Sequence, residues 1–133
     1  MISGLAHIAI VVPDLSKAAH LYKDIFGAEI SDQLDLPEHG VSIIKVNLPG
    51  CLIELLHPFG AQSPIQKFLD KNPDGGMHHL CFNVNDLSTI KDATQDKIRY
   101  LNGGNPKIGM KGKPVLFIHP KDMCGTLVEL EEH

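Results

Sequence analysis

Histidine and glutamate each occur twice in this chain at equivalent places of a repeated pattern. GLAHIAIVVPDLS at residues 4–16 lies over GMHHLCFNVNDLS at 76–88 with an offset of 72, sharing Gly4/Gly76, His7/His79, Val12/Val84, Asp14/Asp86, Leu15/Leu87 and Ser16/Ser88. GCLIEL at 50–55 lies over GTLVEL at 125–130 with an offset of 75, sharing Gly50/Gly125, Leu52/Leu127, Glu54/Glu129 and Leu55/Leu130. Each half therefore opens on a His-bearing segment and closes on a Glu-bearing one. A lone histidine on a strand is most often structural, and a lone glutamate in an apolar strand is often an edge or paired residue. Repetition changes that reading. Burying a carboxylate between apolar side chains costs several kcal/mol unless it is paired or coordinated, and this chain does so twice, each time with its own histidine. Two imidazoles and two carboxylates suit an octahedral divalent metal with two positions left open.

The elements that must position these groups are legible in each half. HIAIVV and HLCFNV are short, β-branched or aromatic stretches that read as strands. PDLSKAAHLYKDIFG follows the first, with Asp14 or Ser16 as cap, apolar residues at Ala18, Leu21, Tyr22 and Ile25, and Gly27 as stop. NDLSTIKDATQDK repeats it with Leu87, Ile90 and Ala93. Strands are then expected around AEISDQL, VSIIKVNL and CLIELL, answered by a weak one near IRYL and clear ones at PVLFIH and TLVELEE. The expected organisation is one domain of two β-α-β-β-β modules, 1–58 and 76–133, joined by a connector over 59–75 that carries a helix at 64–71.

Strand parity selects among the candidates. Side chains alternate faces, so Ile8, Ile10 and Val12 face the helix while His7, Ala9 and Val11 face away. In the repeat, His78, Leu80, Phe82 and Val84 take the helix side, and His79, Cys81 and Asn83 the other. His79, not His78, is thus the partner of His7. Glu131 shares a face with Glu129 but aligns with Leu56, which leaves Glu129 as the counterpart of Glu54. His20, His39, His57, His119 and His133 have no such symmetry and are expected at turns or the surface.

Bulk properties bound the function. A chain of 133 residues with 43% hydrophobic and 21% charged content is an ordinary globular domain. Its net charge of −4 argues against a nucleic-acid binder. No run approaches the ~18 apolar residues of a membrane span, and a strand pattern starting near Met1 leaves no room for a targeting peptide. Cys51, Cys81 and Cys124 lack C-x-x-C spacing, so neither a disulfide framework nor a zinc knuckle is indicated, which favours a reducing interior. Lys107, Lys111 and Lys113 in KIGMKGK form a local basic patch, either a solvated glycine-rich loop or a seat for an anionic ligand.

These residues resemble the vicinal oxygen chelate (glyoxalase-like) superfamily, whose duplicated β-α-β-β-β modules carry H…E…H…E. Within it the chain is similar to the epimerases that act on methylmalonyl-CoA, through HIAIVVPDL, LPEHGVSIIKVNL, IELLHPFG, SPIQKFL, GGMHHLCF, KIGMKGKPVLFIHPKD and GTLVELE. The resemblance implies an α+β fold, a cupped mixed sheet around a metal site, with His7, Glu54, His79 and Glu129 as ligands. The second of these is often Gln in relatives. It also implies a divalent cation, Co2+ before Mn2+, Mg2+, Ni2+ or Zn2+, methylmalonyl-CoA as substrate, and a homodimer without nucleic-acid or membrane partners. The place would be the mitochondrial matrix in a eukaryote and the cytoplasm in a bacterium.

The implied reaction exchanges (R)- and (S)-methylmalonyl-CoA by proton transfer at C2 through a metal-stabilised enolate, in propionate and branched-chain catabolism. Glu129 is the implied catalytic base. Some relatives carry a second catalytic glutamate where this chain has Ile43, which leaves Lys45, Glu38 and His39 as candidates for the other face of C2. The KIGMKGK loop and Lys121 are candidates for the CoA phosphates. Two alternatives stand on the same scaffold: an isomerase of the lactoylglutathione lyase type, and a non-catalytic small-molecule-binding member. An iron-dependent extradiol dioxygenase is disfavoured by the fourth ligand.

Overall fold

The computed structural model describes residues 1–133 and divides into two units, Ile8–His78 on one side and Met1–His7 with His79–His133 on the other. The divisions fall inside two strands, β1 (Ile2–Val11) and β6 (Gly76–Val84). No helix is long and apolar enough to cross a membrane.

In the Ile8–His78 unit, the strands after β1 are β2 (Glu29–Ile30), β3 (Leu34–Leu36), β4 (Val41–Leu48) and β5 (Cys51–Pro58). β1 runs parallel to β5 with Ala9 opposite Glu54, and β5 pairs antiparallel with β4, placing Lys45 opposite Glu54. Helix α1 (Leu15–His20) starts where the side chain of Asp14 accepts a hydrogen bond from Lys17 N at 3.0 Å. Its buried Leu15 and Ala18 pack on Val12, Ile44, Val46 and Leu55. The opposite face of the ladder forms a second cluster of Ala9, Val11, Val41, Ile43 and Leu56, covered by Ile65 with Phe68 and Leu69 of α2 (Gln66–Lys71). Ile10 and Val12 thus face the helix and Ala9 and Val11 do not, as strand alternation requires.

The other unit repeats the scheme. β6 is parallel to β9 (Val128–Glu132), β9 is antiparallel to β8 (Pro114–Ile118), and β8 pairs with the short β7 (Lys107–Ile108). Helix α3 (Leu87–Thr94) is capped by Asp86, which accepts from Thr89 N at 2.7 Å. Leu87 and Ile90 bury against Val84, Leu116, Ile118, Val128 and Leu130.

Three expectations are corrected. The first helix continues past His20 as a π turn, Leu21–Ile25, closed by Phe26 N donating to Leu21 O at 3.1 Å, and the extra residue leaves Leu21, Ile25 and Phe26 exposed. AEISDQL holds only the two-residue β2 and Leu34, the first residue of β3; between them Ser31 Oγ donates to Asp32 O and accepts from Lys45 N. IRYL contributes a single bridge, Tyr100 to Ile118, before Asn102, Gly103 and Gly104 turn the chain through positive φ.

Gly75 shows how tightly the Ile8–His78 unit is closed. Its φ is +87°, and a Cβ there would stand 2.6 Å from Val11 O. At Gly50, φ +75°, a Cβ would meet nothing within 4 Å. Gly50→Ala should therefore cost about 1–2 kcal/mol, the left-handed penalty alone. Gly75→Ala should cost clearly more, read as a lower urea midpoint at unchanged slope.

Candidate metal centre

The inner face of β6, the one turned away from α3, carries His79, Cys81 and Asn83. β9 lies beside it in register, with Cys81 opposite Glu129 and Asn83 opposite Glu131. Val128 and Leu130 point to the apolar cluster under α3, which forces Glu129 and Glu131 inward. His7, at the end of the β1 segment belonging to this unit, is 3% exposed; His79 is 5% and Glu129 7% exposed.

Three donors converge here. Glu129 Oε2 lies 2.9 Å from His79 Nε2 and 3.3 Å from His7 Nε2, and the two imidazole Nε2 atoms are 3.2 Å apart. The rings meet edge to face, with centroids 5.3 Å apart at 72°. Ligands bound about 2.1 Å from one ion at right angles stand about 3.0 Å from each other. The three spacings match the edges of such a coordination shell, so the donor set fits a divalent metal. Burial pushes the Glu129 carboxyl up, but hydrogen bonds from His7 and His79, and their charge, outweigh it and hold it at about 2.

Glu54 lies in the other unit. It is 3% exposed and occupies the place on β5 that Glu129 occupies on β9, flanked across the ladders by Ala9 and Lys45. Ile43 is 2% exposed in the apolar cluster with Val11, Val41 and Leu56, and its hydrocarbon side chain has no proton to exchange. Glu38 and His39 line an open cleft of about 530 Å³ with Phe59, Gln62 and Pro64. Lys121 sits in the single turn Pro120–Asp122, and Lys107 and Lys113 are exposed.

Two residues of the inner face have no place in the sequence reading of the site. Phe117 stands directly opposite Glu129 on β8 and packs edge to face on the His79 ring, centroids 5.6 Å apart at 83°. It forms an apolar wall beside the carboxylate, and pairing PVLFIH with TLVELEE in register would have found it. Cys81 is fully buried, and its sulfur lies within 4.8 Å of donor atoms of His7 and Glu129. The parity argument already placed it on the face of His79.

Comparison with known proteins identifies the family of the chain. Residues 6–117 match the family model of the Glyoxalase/Bleomycin resistance protein/Dioxygenase superfamily. The chain is 53% identical over 133 residues, 99% of each chain, to the ethylmalonyl-CoA/methylmalonyl-CoA epimerase of Cereibacter sphaeroides. It is 54% identical to the mitochondrial methylmalonyl-CoA epimerase of Homo sapiens, over 96% of this chain and 73% of that one. A solved methylmalonyl-CoA epimerase in complex with methylmalonyl-CoA and an ammonium ion superposes with a TM-score of 0.85 at 28% identity, covering 99% of this chain and 95% of that one.

The depressed carboxyl sets an acid limit for the metal-free protein. A carboxylate held at about 2 in the folded chain, against 4.5 for an unperturbed glutamate, contributes stability that is complete above pH 4.5 and lost as the pH falls toward 2. Acid titrations followed by circular dichroism should show Glu129→Gln losing less stability over that window than the parent. With its duplicated modules and this buried His–His–Glu cluster, the chain belongs to the glyoxalase/bleomycin resistance protein/dioxygenase superfamily and, within it, to the methylmalonyl-CoA epimerase family.

Proposed function

We propose that the protein epimerises methylmalonyl-CoA at C2, exchanging its (R) and (S) forms. The observation that carries this reading is the buried His7–His79–Glu129 cluster in a chain more than half identical, along its whole length, to an enzyme named for that reaction. His7, His79 and Glu129 would hold a divalent cation, with Glu54 as fourth donor on the strength of the duplication. When bound, that cation supplies Lewis-acid polarisation of the substrate's oxygens. Two imidazoles and two carboxylates accept Co2+, the ion we favour, and also Mn2+, Mg2+, Ni2+ or Zn2+.

The chain's own residues do the proton work. C2–H is flanked by a thioester and a carboxylate. Breaking that bond sends its electron pair toward the thioester oxygen and its proton to a base. Glu129 is ionised at neutral pH. Its Oε2 faces the two histidines, and we assign proton transfer to its other oxygen, Oε1. Phe117 and the buried Cys81 keep water from that carboxylate. Inversion requires a second group to return a proton to the opposite face. Lys45, on the face of β4 that also carries Ile43, is one candidate; Glu38 and His39 at the cleft are the others.

The reaction belongs to propionate and branched-chain breakdown. A homodimer is supported by the family resemblance. The mitochondrial names of animal relatives support the matrix for a eukaryotic chain, and a bacterial relative supports the cytoplasm for a bacterial one.

Proton NMR of (2S)- or (2R)-methylmalonyl-CoA in heavy water, with cobalt-loaded protein, tests the reading. C2 should gain deuterium with inversion, and chelation should abolish it. Glu129→Gln should slow exchange by about 10²–10⁴-fold. C2 exchange no faster than without protein would overturn the assignment. Substituting Lys45, Glu38 and His39 singly should identify the second group: its loss leaves deuterium wash-in on one enantiomer while inversion fails.

A further inference from the structure

Phe117 leaves part of its ring accessible on the inner face of β8, and the proposed reaction uses it only as a wall. Its chain neighbours Leu116 and Ile118 are buried under α3, which turns Phe117 the other way. It stands directly opposite Glu129 in the β8–β9 ladder, where facing side chains begin about 5 Å apart. Its ring also packs edge to face on the His79 imidazole, with centroids 5.6 Å apart at 83°. Two contacts thus fix the ring beside the carboxylate. Yet Phe117 is only half-buried, whereas His7, His79, Cys81 and Glu129 are all buried. An aromatic side chain held in a polar site with surface uncovered is a place for an apolar group of a ligand.

The substrate has one such group at C2. That carbon carries a hydrogen, a thioester carbon, a carboxylate carbon and one alkyl group. The hydrogen goes to Glu129, and the two carbonyl groups are polar and belong with the donors that would hold the cation. The alkyl group remains. A base within reach of C2–H holds C2 about 3 Å away, and every substituent is one bond from C2. Inversion exchanges the places of the hydrogen and the alkyl group, so in one of the two epimers the alkyl group lies on the Glu129 side. The neighbours of Glu129 across its two ladders are Cys81, which is fully buried, and Phe117, which is not.

We propose that Phe117 seats the C2 alkyl substituent and sets the length that the site accepts. The inference rests on the epimerase reading above. The ring covers the alkyl group in the epimer that turns it toward Glu129, and each further methylene must be fitted against a ring already packed on His79. Inversion in either direction begins or ends on that epimer, so a limit there limits both directions.

The measurement is kcat/KM for inversion of methyl-, ethyl-, propyl- and butylmalonyl-CoA by the cobalt-loaded protein. In the parent it should fall along the series. One methylene in an apolar pocket is worth about 10–200-fold, so Phe117→Ala should raise the butyl-to-methyl ratio by about tenfold or more. Phe117→Leu should raise it by less. A purely structural role for Phe117 would lower all four values alike and leave the ratio unchanged. Where a variant has lost turnover, the same ratio is read from calorimetric Kd values. Phe26→Ala, at the exposed end of the π turn, should keep the parent's ratio. A parental ratio in both Phe117 variants, or a parent that takes butylmalonyl-CoA as readily as methylmalonyl-CoA, overturns the proposal and leaves the epimerase reading standing. A parent inactive on methylmalonyl-CoA overturns both.

Discussion

The centre of this molecule depends on keeping the Glu129 carboxylate ionised where almost no water reaches it. Desolvation at that depth favours the neutral acid, and only the two imidazoles at 2.9 and 3.3 Å reverse the balance. A carboxylate placed there without His7 and His79 would face a penalty of several kcal/mol. The surrounding structure is arranged to deliver three groups from three separate segments to one point.

That delivery is the work of alternation. On β9, Val128 and Leu130 are drawn under α3 by apolar burial, so Glu129 and Glu131 must turn the other way. On β6 the same rule sends Phe82 and Val84 to the helix side and His79 and Cys81 inward. The hydrophobic contact that stabilises the fold is thus also what aims the polar groups. Each inward carboxylate then finds a cation or an imidazole: Glu129 the two histidines, Glu131 the ammonium of Lys111.

Duplication explains why the same solution appears in the Ile8–His78 unit. There too a parallel strand pair is followed by an antiparallel one, an aspartate caps the helix, and a buried glutamate faces away from it. The halves have diverged around that frame. Phe117 stands opposite Glu129, whereas Lys45 stands opposite Glu54. The two carboxylates thus sit in different surroundings, an apolar wall beside one and a cation across from the other.

Much of this was legible in the chain itself. The repeat, the two aspartate caps and the helix-facing positions of Ile10, Val12 and Val84 all depend on interactions within a few residues, and a period of two or 3.6 records them directly. Parity alone placed His79 rather than His78 with Cys81. Extended strands at AEISDQL and IRYL were overestimated: the local hydrogen bonds of Ser31 between β2 and β3, and the positive φ of the Asn102–Gly104 turn, are features that apolar pattern does not encode. Tertiary structure fixed which residues meet: Phe117 with Glu129 and Lys45 with Glu54 across ladders, and Lys111 with Glu131 from a turn. Those pairs join residues separated by an intervening turn or strand. Their register follows from turn geometry and inter-strand hydrogen bonding, which no local periodicity specifies.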